Sequence, residues 1–334
     1  MKTNKLIGVI VALLISINCG AQTIHVLGFA NTLDQRIGQT CEVDMARIQN
    51  EIAEIGMNIN YEVSFDNIFT GEDCSKENLL NSIERLKCKS NDIIFFYYTG
   101  HGVRSSQDSD PFPQLCLKYK TENNFVALHT IVSSLEKKNA QFTLVLTDCC
   151  NSISTAVSPK SASIINSKGM TYRSDNASEN YKTLFSKQKG TLVATSSKIG
   201  QVSGCDPFNG GWFTFSFFEN IAQAVNGNIT NSWETILSQA GNMTNEISLN
   251  SPNHNPQNPY YNLPGNALVP APSTQNIQVV SVDNELEELI KPIINLEYST
   301  EYRLSKAKDA LKSCFASNSK VSTVARNGST IIDY

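Results

Sequence analysis

Two short apolar runs constrain this chain more than anything else in it: Asp92–Tyr98 (Asp-Ile-Ile-Phe-Phe-Tyr-Tyr) and Phe142–Leu146 (Phe-Thr-Leu-Val-Leu). Each is rich in β-branched and aromatic residues and long enough for one buried strand, but not for a helix. The first stops at Thr99-Gly100-His101-Gly102, the second at Thr147-Asp148-Cys149-Cys150-Asn151-Ser152. Helical periodicity lies between and before them. Leu128, Ile131 and Leu135 mark a helix over Val126–Lys137, and Leu79, Ile83 and Leu86 mark one capped by Ser75. Met45, Ile48, Ile52 and Ile55 mark a helix that Thr40 caps and Gly56 stops. Thr23–Phe29 and Asn60–Ser64 read as strands, and Leu115–Tyr119 as a small hairpin element. Strand alternating with helix predicts an α/β fold, its central sheet mostly parallel and flanked by helices.

The second half is less regular. Residues 151–190 are rich in Ser, Asn and Lys without periodicity and read as a flexible linker carrying Lys160, Lys168, Arg173, Lys182, Lys187 and Lys189. Order resumes with a strand at Thr191–Ser196 and a helix from Thr214 bearing Phe217, Ile221 and Ala224. A capping box, Asn231 with Glu234, opens another helix, and Ser251–Pro264 reads as loop. The main domain is expected over 22–270, as two halves (22–150 and 191–270) joined by the linker. Residues 271–334 form an appendage without a legible function, with helical pieces over 284–311 and a hairpin around Asn327-Gly328.

The first 21 residues read as an address. Lys2 and Lys5 precede the apolar run Leu6–Ile17, and Cys19-Gly20-Ala21 supplies small residues for cleavage before Gln22. The run is short of the roughly 20 residues that span a bilayer, so export to the periplasm or beyond is expected, with no membrane span. Lipidation of Cys19 is the weaker alternative, because Asn18 fits a lipoprotein box poorly. The net charge of −4, from 27 basic and 31 acidic residues, argues against a nucleic-acid partner. The remaining cysteines (41, 74, 88, 116, 149, 150, 205 and 314) are irregularly spaced and form no zinc-binding pattern, so no metal site is expected.

Chemistry in an open α/β sheet gathers beyond the carboxyl ends of the strands. By themselves, Cys149 and Cys150 could equally be small buried hydrophobes closing a strand. A base at a neighbouring strand end favours a nucleophile. Of four histidines, His25 lies in a strand pattern, His129 on an amphipathic helix and His254 in a Pro/Asn loop. His101 alone follows a strand directly, between two glycines that leave its ring uncrowded. Such an imidazole can take the thiol proton, and the backbone N–H groups of Gly102 and Cys150 are candidate oxyanion donors.

Tyr98–Gly102 and Thr147–Ser152 resemble the histidine and cysteine motifs of the caspase-like cysteine peptidases, the metacaspases in particular. The resemblance covers about 23–265, where Ser196–Gln201 and Gly211–Thr214 look like the small-subunit half. It implies His101 as base and Cys150, the second cysteine, as nucleophile. It also matches Cys41-Glu-Val-Asp44 to the family's pocket motif and Asp148 to the second pocket carboxylate, with Thr99 beside them. Two carboxylates favour a cation, so the resemblance implies a protein or peptide substrate cut after Arg or Lys, by a monomer. The linker falls where such enzymes are often cut, which implies activation by self-cleavage. Asn151 stands where the family has His, and no Gly follows Ser152. No cofactor is expected. Calcium activation is a family property, but its acidic ligands are not recognisable, Asp108 and Asp110 reading as solvated loop carboxylates. A catalytically silent scaffold of the same fold is the alternative.

Overall fold

The structure is a computed structural model and describes residues 21–105, 108–118, 124–153, 174–251 and 255–265. Apart from Ala21, the expected leader lies outside these residues, as do the appendage 271–334, His254, and Lys160, Lys168 and Arg173.

The strands β1 (Thr23–Ala30) and β2 (Glu62–Thr70) are joined by helix α1 (Gly38–Ile59). Helix α2 (Lys76–Arg85) leads to β3 (Ile93–Thr99). Three short strands, β4 (His101–Val103), β5 (Gln114–Cys116) and β6 (Phe125–Ala127), form a separate antiparallel sheet. Helix α3 (Leu128–Glu136) then feeds β7 (Phe142–Asp148). Helix α4 (Ala177–Leu184) precedes β8 (Gly190–Thr195), and the two-residue strands β9 (Cys205–Asp206) and β10 (Gly210–Gly211) pair with each other. Helices α5 (Trp212–Val225) and α6 (Trp233–Leu249) and strand β11 (Tyr260–Asn262) complete the described chain.

The main sheet runs β11-β8-β7-β3-β1-β2, with every pair parallel except β11 against β8. Every residue of β3 and β7 is buried, as central strands covered on both faces must be. Side chains alternate between two cores. Ile93, Phe95 and Tyr97 join the core that α1, α4, α5 and α6 cover, and Ile94, Phe96 and Tyr98 join the core under α2 and α3. Burying each large apolar side chain contributes about 1.5–3 kcal/mol, which makes the two central strands the least removable part of the fold. Trp233 anchors the larger core, stacked on Phe217 at 6.0 Å and edge-on to Phe185 at 5.3 Å. The chain passes outward from β1 to β2 and returns on the other side to β3, so the topological switch point falls between β1 and β3. Helices α1 and α2 accordingly cover opposite faces.

Several sequence expectations need correction. Helix α1 starts at Gly38 without a side-chain cap, and the Thr40 hydroxyl instead donates to the Ile37 carbonyl at 2.6 Å. Gly56 does not stop it. A Cβ there would lie 2.4 Å from Val63 Cγ2, so the glycine lets the helix approach the sheet, and Asn60 at φ 61° ends the helix in the left-handed region. Strand β2 runs on to Thr70 as an edge strand. Ser232, not Asn231, caps α6, accepting from Thr235 N at 3.3 Å. Within 151–190, Ala177–Leu184 form α4, which buries Ala177, Tyr181 and Leu184 beside the following Phe185. That apolar stripe spans only two turns, which is why polar surroundings masked it. The loop 251–264 contains β11, whose backbone pairs with the edge of β8. Asp110 is buried, accepting from Phe112 N at 3.0 Å and facing His129 Nδ1, so it anchors its loop instead of meeting solvent.

Candidate active site

Strands β3 and β7 pair in register up to Thr99 opposite Asp148. The two chains continue side by side beyond the sheet, because Gly100 N donates to Asp148 O at 3.2 Å and Arg104 N donates to Ser152 O at 3.1 Å. His101 and Cys150 therefore lie on neighbouring segments between those two rungs. Gly102 makes the approach possible, since a Cβ there would lie 2.2 Å from the Cys150 carbonyl and 2.7 Å from Cys149 Sγ. The Tyr98 hydroxyl lies 2.7 Å from the His101 carbonyl and 2.8 Å from that of Cys116, fixing the turn from below. The Arg104 guanidinium ties Asn151 Oδ1 (2.9 Å) to the carbonyls of Asp108 and Asp110, so the segment after Cys150 is braced from β4.

The two adjacent thiols differ because successive residues of an extended chain point to opposite faces. Cys149 enters the core with Tyr98 and Val145, where burial above all, then Cys150 and Asp148, push its thiol well above the ordinary range. Its backbone is held by one hydroxyl: Ser196 Oγ accepts from Cys149 N and donates to Cys149 O, both at 2.9 Å. Cys150 sits on the other side, where Ser203 N donates to its sulfur at 3.3 Å. An amide N–H on sulfur favours thiolate over thiol. The seven cysteines among the described residues, Cys149 and Cys150 included, form no disulfide.

The same Ser203 reaches the next feature, its hydroxyl donating to Asp148 Oδ1 at 2.5 Å. Asp148 Oδ2 accepts from Thr214 N at 2.9 Å and Thr214 Oγ1 at 2.8 Å. Asp44, projecting from α1, accepts from Thr99 Oγ1 at 2.7 Å and Gly211 N at 2.8 Å. Cys41, Asp44, Thr99 and Asp148 thus line one cavity, with Ser203, Cys205 and Gly211 as its other wall. Its volume is about 20 Å³, room for a single water. Both carboxyls are fully buried and both are pushed upward, Asp44 to about 8, by burial first and then by the Asp148 charge. A Cβ on Gly211 would come within 2.2 Å of Asp148 Oδ2, so β10 closes directly on the pair.

His101 meets a residue that the sequence did not point to. Its Nε2 lies 3.1 Å from Asp34 Oδ2, in the loop after β1. Burial pulls the His101 ring below its ordinary value and Asp34 partly restores it. Burial pulls Asp34 upward, but the Arg36 and Ile37 amides and His101 outweigh it and leave the carboxyl below the usual range. Ser203, Thr214 and Gln257 were missed as well. Gln257 Nε2 donates to Ser196 O and Ser203 Oγ, both at 3.1 Å, and its Oε1 accepts from Gly204 N at 2.8 Å. A larger groove of about 310 Å³ runs between α2 and α3, lined by Leu80, Ile83 and Ile131. It lies on a helical face, away from the strand ends. Among the described residues, one group could hold a metal: His25, Cys88 and Asp92, within 4.8 Å of one another at the opposite edge of the sheet. Asp92 there already accepts from Thr23 N, Lys89 N and His25. Among the described residues, no helix is long and apolar enough to cross a membrane.

No curated protein matches the chain. Among solved structures, caspase-1 from Spodoptera frugiperda is similar at 13% identity and a TM-score of 0.44, over 72% of this chain and 85% of that one. The chain matches the caspase domain over residues 11–263, well over half its length, and with a mostly parallel sheet between helical layers it belongs to the caspase-like cysteine peptidases.

Proposed function

We propose that the protein is an exported cysteine endopeptidase of metacaspase type, cleaving protein substrates after Arg or Lys. One observation carries the reading: Ser203 bridges the Cys150 sulfur and the Asp148 carboxylate, so the candidate nucleophile adjoins a pocket holding two carboxylates. In this mechanism the Cys150 thiol passes its proton to His101 as sulfur attacks the scissile carbonyl carbon. The carbonyl electron pair moves to oxygen, where the N–H groups of Gly102 and Cys150 are the donors. His101 then protonates the leaving amine as the C–N bond breaks, and water releases the acyl group by the reverse sequence. A cationic P1 side chain would draw both pocket carboxyls into their charged form.

A 20 Å³ cavity cannot admit an arginine, so the wall formed by residues 203–211 must move back before the pocket can be used. This arrangement supports a latent resting form. Lys182 lies within α4, Lys187 pairs with Glu179 and Lys189 abuts the first residue of β8, so activating self-cleavage is expected at Lys160, Lys168 or Arg173. Fluorogenic peptides ending in Arg and in Asp test the reading, with wild type run beside Cys150→Ala and Cys149→Ala. Cleavage after Arg that disappears only in Cys150→Ala is expected. Cleavage after Asp would remove the pocket assignment. Silence on both, persisting after the linker is nicked with trypsin, would favour the scaffold.

A further inference from the structure

The contact between Asp34 and His101 does more than fill space. Asp34 is fixed by its own loop, with Oδ1 accepting from Arg36 N at 2.8 Å and Ile37 N at 3.1 Å and its carbonyl accepting from Gly38 N at 2.8 Å. This is an Asx turn. It commits one carboxylate oxygen to the backbone and aims the other at His101 Nε2, with the Asp34 side chain only 3% exposed. Strand β1, which carries this loop, lies beside β3, which carries His101. The loop therefore sits at the topological switch point.

We propose that Asp34 is a positioning residue for the reaction. It holds the His101 ring with the proton on Nε2, leaving Nδ1 unprotonated to receive the Cys150 proton. The inference rests on His101 and Cys150 being base and nucleophile. Asp34 stays ionised throughout. It accepts the Nε2–H hydrogen bond before attack, stabilises the imidazolium once the thiol proton has moved to Nδ1, and is unchanged when that proton passes to the leaving amine. The hydrogen bond also fixes which face of the ring meets the thiol.

Asp34→Asn separates this role from a structural one. The Asn oxygen still accepts from the Arg36 and Ile37 amides, so the turn is kept. Its NH₂ now faces Nε2 and donates to it, which drives the ring proton onto Nδ1. In the full chain, kcat for the Arg peptide is expected to fall about 10²–10⁴-fold, as when a catalytic histidine is held in the wrong tautomer, with KM within about threefold. Nitrogen-15 NMR of histidine-labelled protein is expected to show the His101 proton moving from Nε2 to Nδ1. Alkylation of Cys150 by iodoacetamide at neutral pH is expected to slow about tenfold. Should Asp34→Asn fold poorly, Asp34→Ser keeps an oxygen for the turn but ends short of the ring, and an intermediate loss of kcat is expected. An Asn variant with kcat within twofold of wild type and an unmoved ring proton overturns the proposal. The NMR and alkylation readouts need no substrate. If wild type cleaves no peptide even after the linker is nicked, the peptidase reading and with it the role of Asp34 in the reaction fall. A ring proton that still moves in Asp34→Asn then shows that the hydrogen bond alone sets the His101 tautomer.

Discussion

The two edges of the central sheet carry nearly the same side chains and do different things with them. At the amino edge, His25 meets Asp92 at 3.0 Å with Cys88 nearby; at the carboxyl edge, His101 meets Asp34 at 3.1 Å with Cys150 on the adjoining segment. The difference lies in the backbone. Asp92 takes the amides of Thr23 and Lys89 and so fastens the entrances of β1 and β3. The Cys88 thiol is pushed up to about 11, by burial and then by Asp92, and donates to the Lys89 carbonyl. At the carboxyl edge an amide N–H points at the Cys150 sulfur, and two further carboxyls lie just beyond. A histidine, a carboxylate and a thiol do not make a site. The Ser203 amide, aimed at sulfur from the loop after β8, is what separates the two edges.

That contrast can be broken at either edge. Cys150→Ala is expected to lower peptide hydrolysis by about 10⁴-fold or more, whereas Cys88→Ala should stay within about twofold. Comparable losses from both would erase the distinction. Asp44→Asn keeps an acceptor for Gly211 N but removes a pocket charge, and kcat/KM for the Arg peptide should drop about 10²–10³-fold. The same variant tests the pH dependence. A carboxyl raised to about 8 is mostly neutral at pH 6.5 and ionises as the pH rises, while His101, lowered by burial, loses its proton at lower pH than that carboxyl. Wild-type kcat/KM should therefore climb towards pH 8, and Asp44→Asn should lack that limb in a pH–rate profile. The smallest effect belongs to the amino edge. Asp92→Ala strands two backbone amides and should cost about 1–3 kcal/mol in urea unfolding, with kcat unchanged. The Asp92 carboxyl is lowered in the fold, chiefly because the Lys89 amide, His25 and the Thr23 amide overcome burial. Its stabilisation is thus present above the ordinary carboxylate range and lost as pH falls through the folded value, so the variant should lose part of the wild type's acid sensitivity.

What the sequence disclosed followed the range of the interactions. Strands β3 and β7 were legible because continuous apolar runs have no other home, and their ends located His101 and Cys150. Cys41 and Asp44 were legible through local helical spacing and a motif. Asp34 was not: its Asx turn is a local pattern, but its partner lies 67 residues away and nothing in the sequence couples the two. Ser203, Thr214 and Gln257 are ordinary polar residues whose roles arise only when α5 and the chain around β9 and β11 close on β7. Gly56 misled because one residue type serves both helix termination and close packing, and only the tertiary neighbour Val63 decides between them.

The Ser196 hydroxyl clasping the backbone of Cys149 has a consequence for molecularity. Residues 149 and 196 lie on opposite sides of the linker, and β7 pairs with β8 along their full shared length. The residue next to the candidate nucleophile is therefore clasped by a segment that would belong to a second polypeptide once the linker is severed. An uncut chain unfolds and refolds at a rate independent of its concentration. A severed one is a heterodimer whose halves must find each other by diffusion, so dilution lowers its melting temperature and delays its recovery. Cutting would thus make loss of the fold harder to reverse at low concentration.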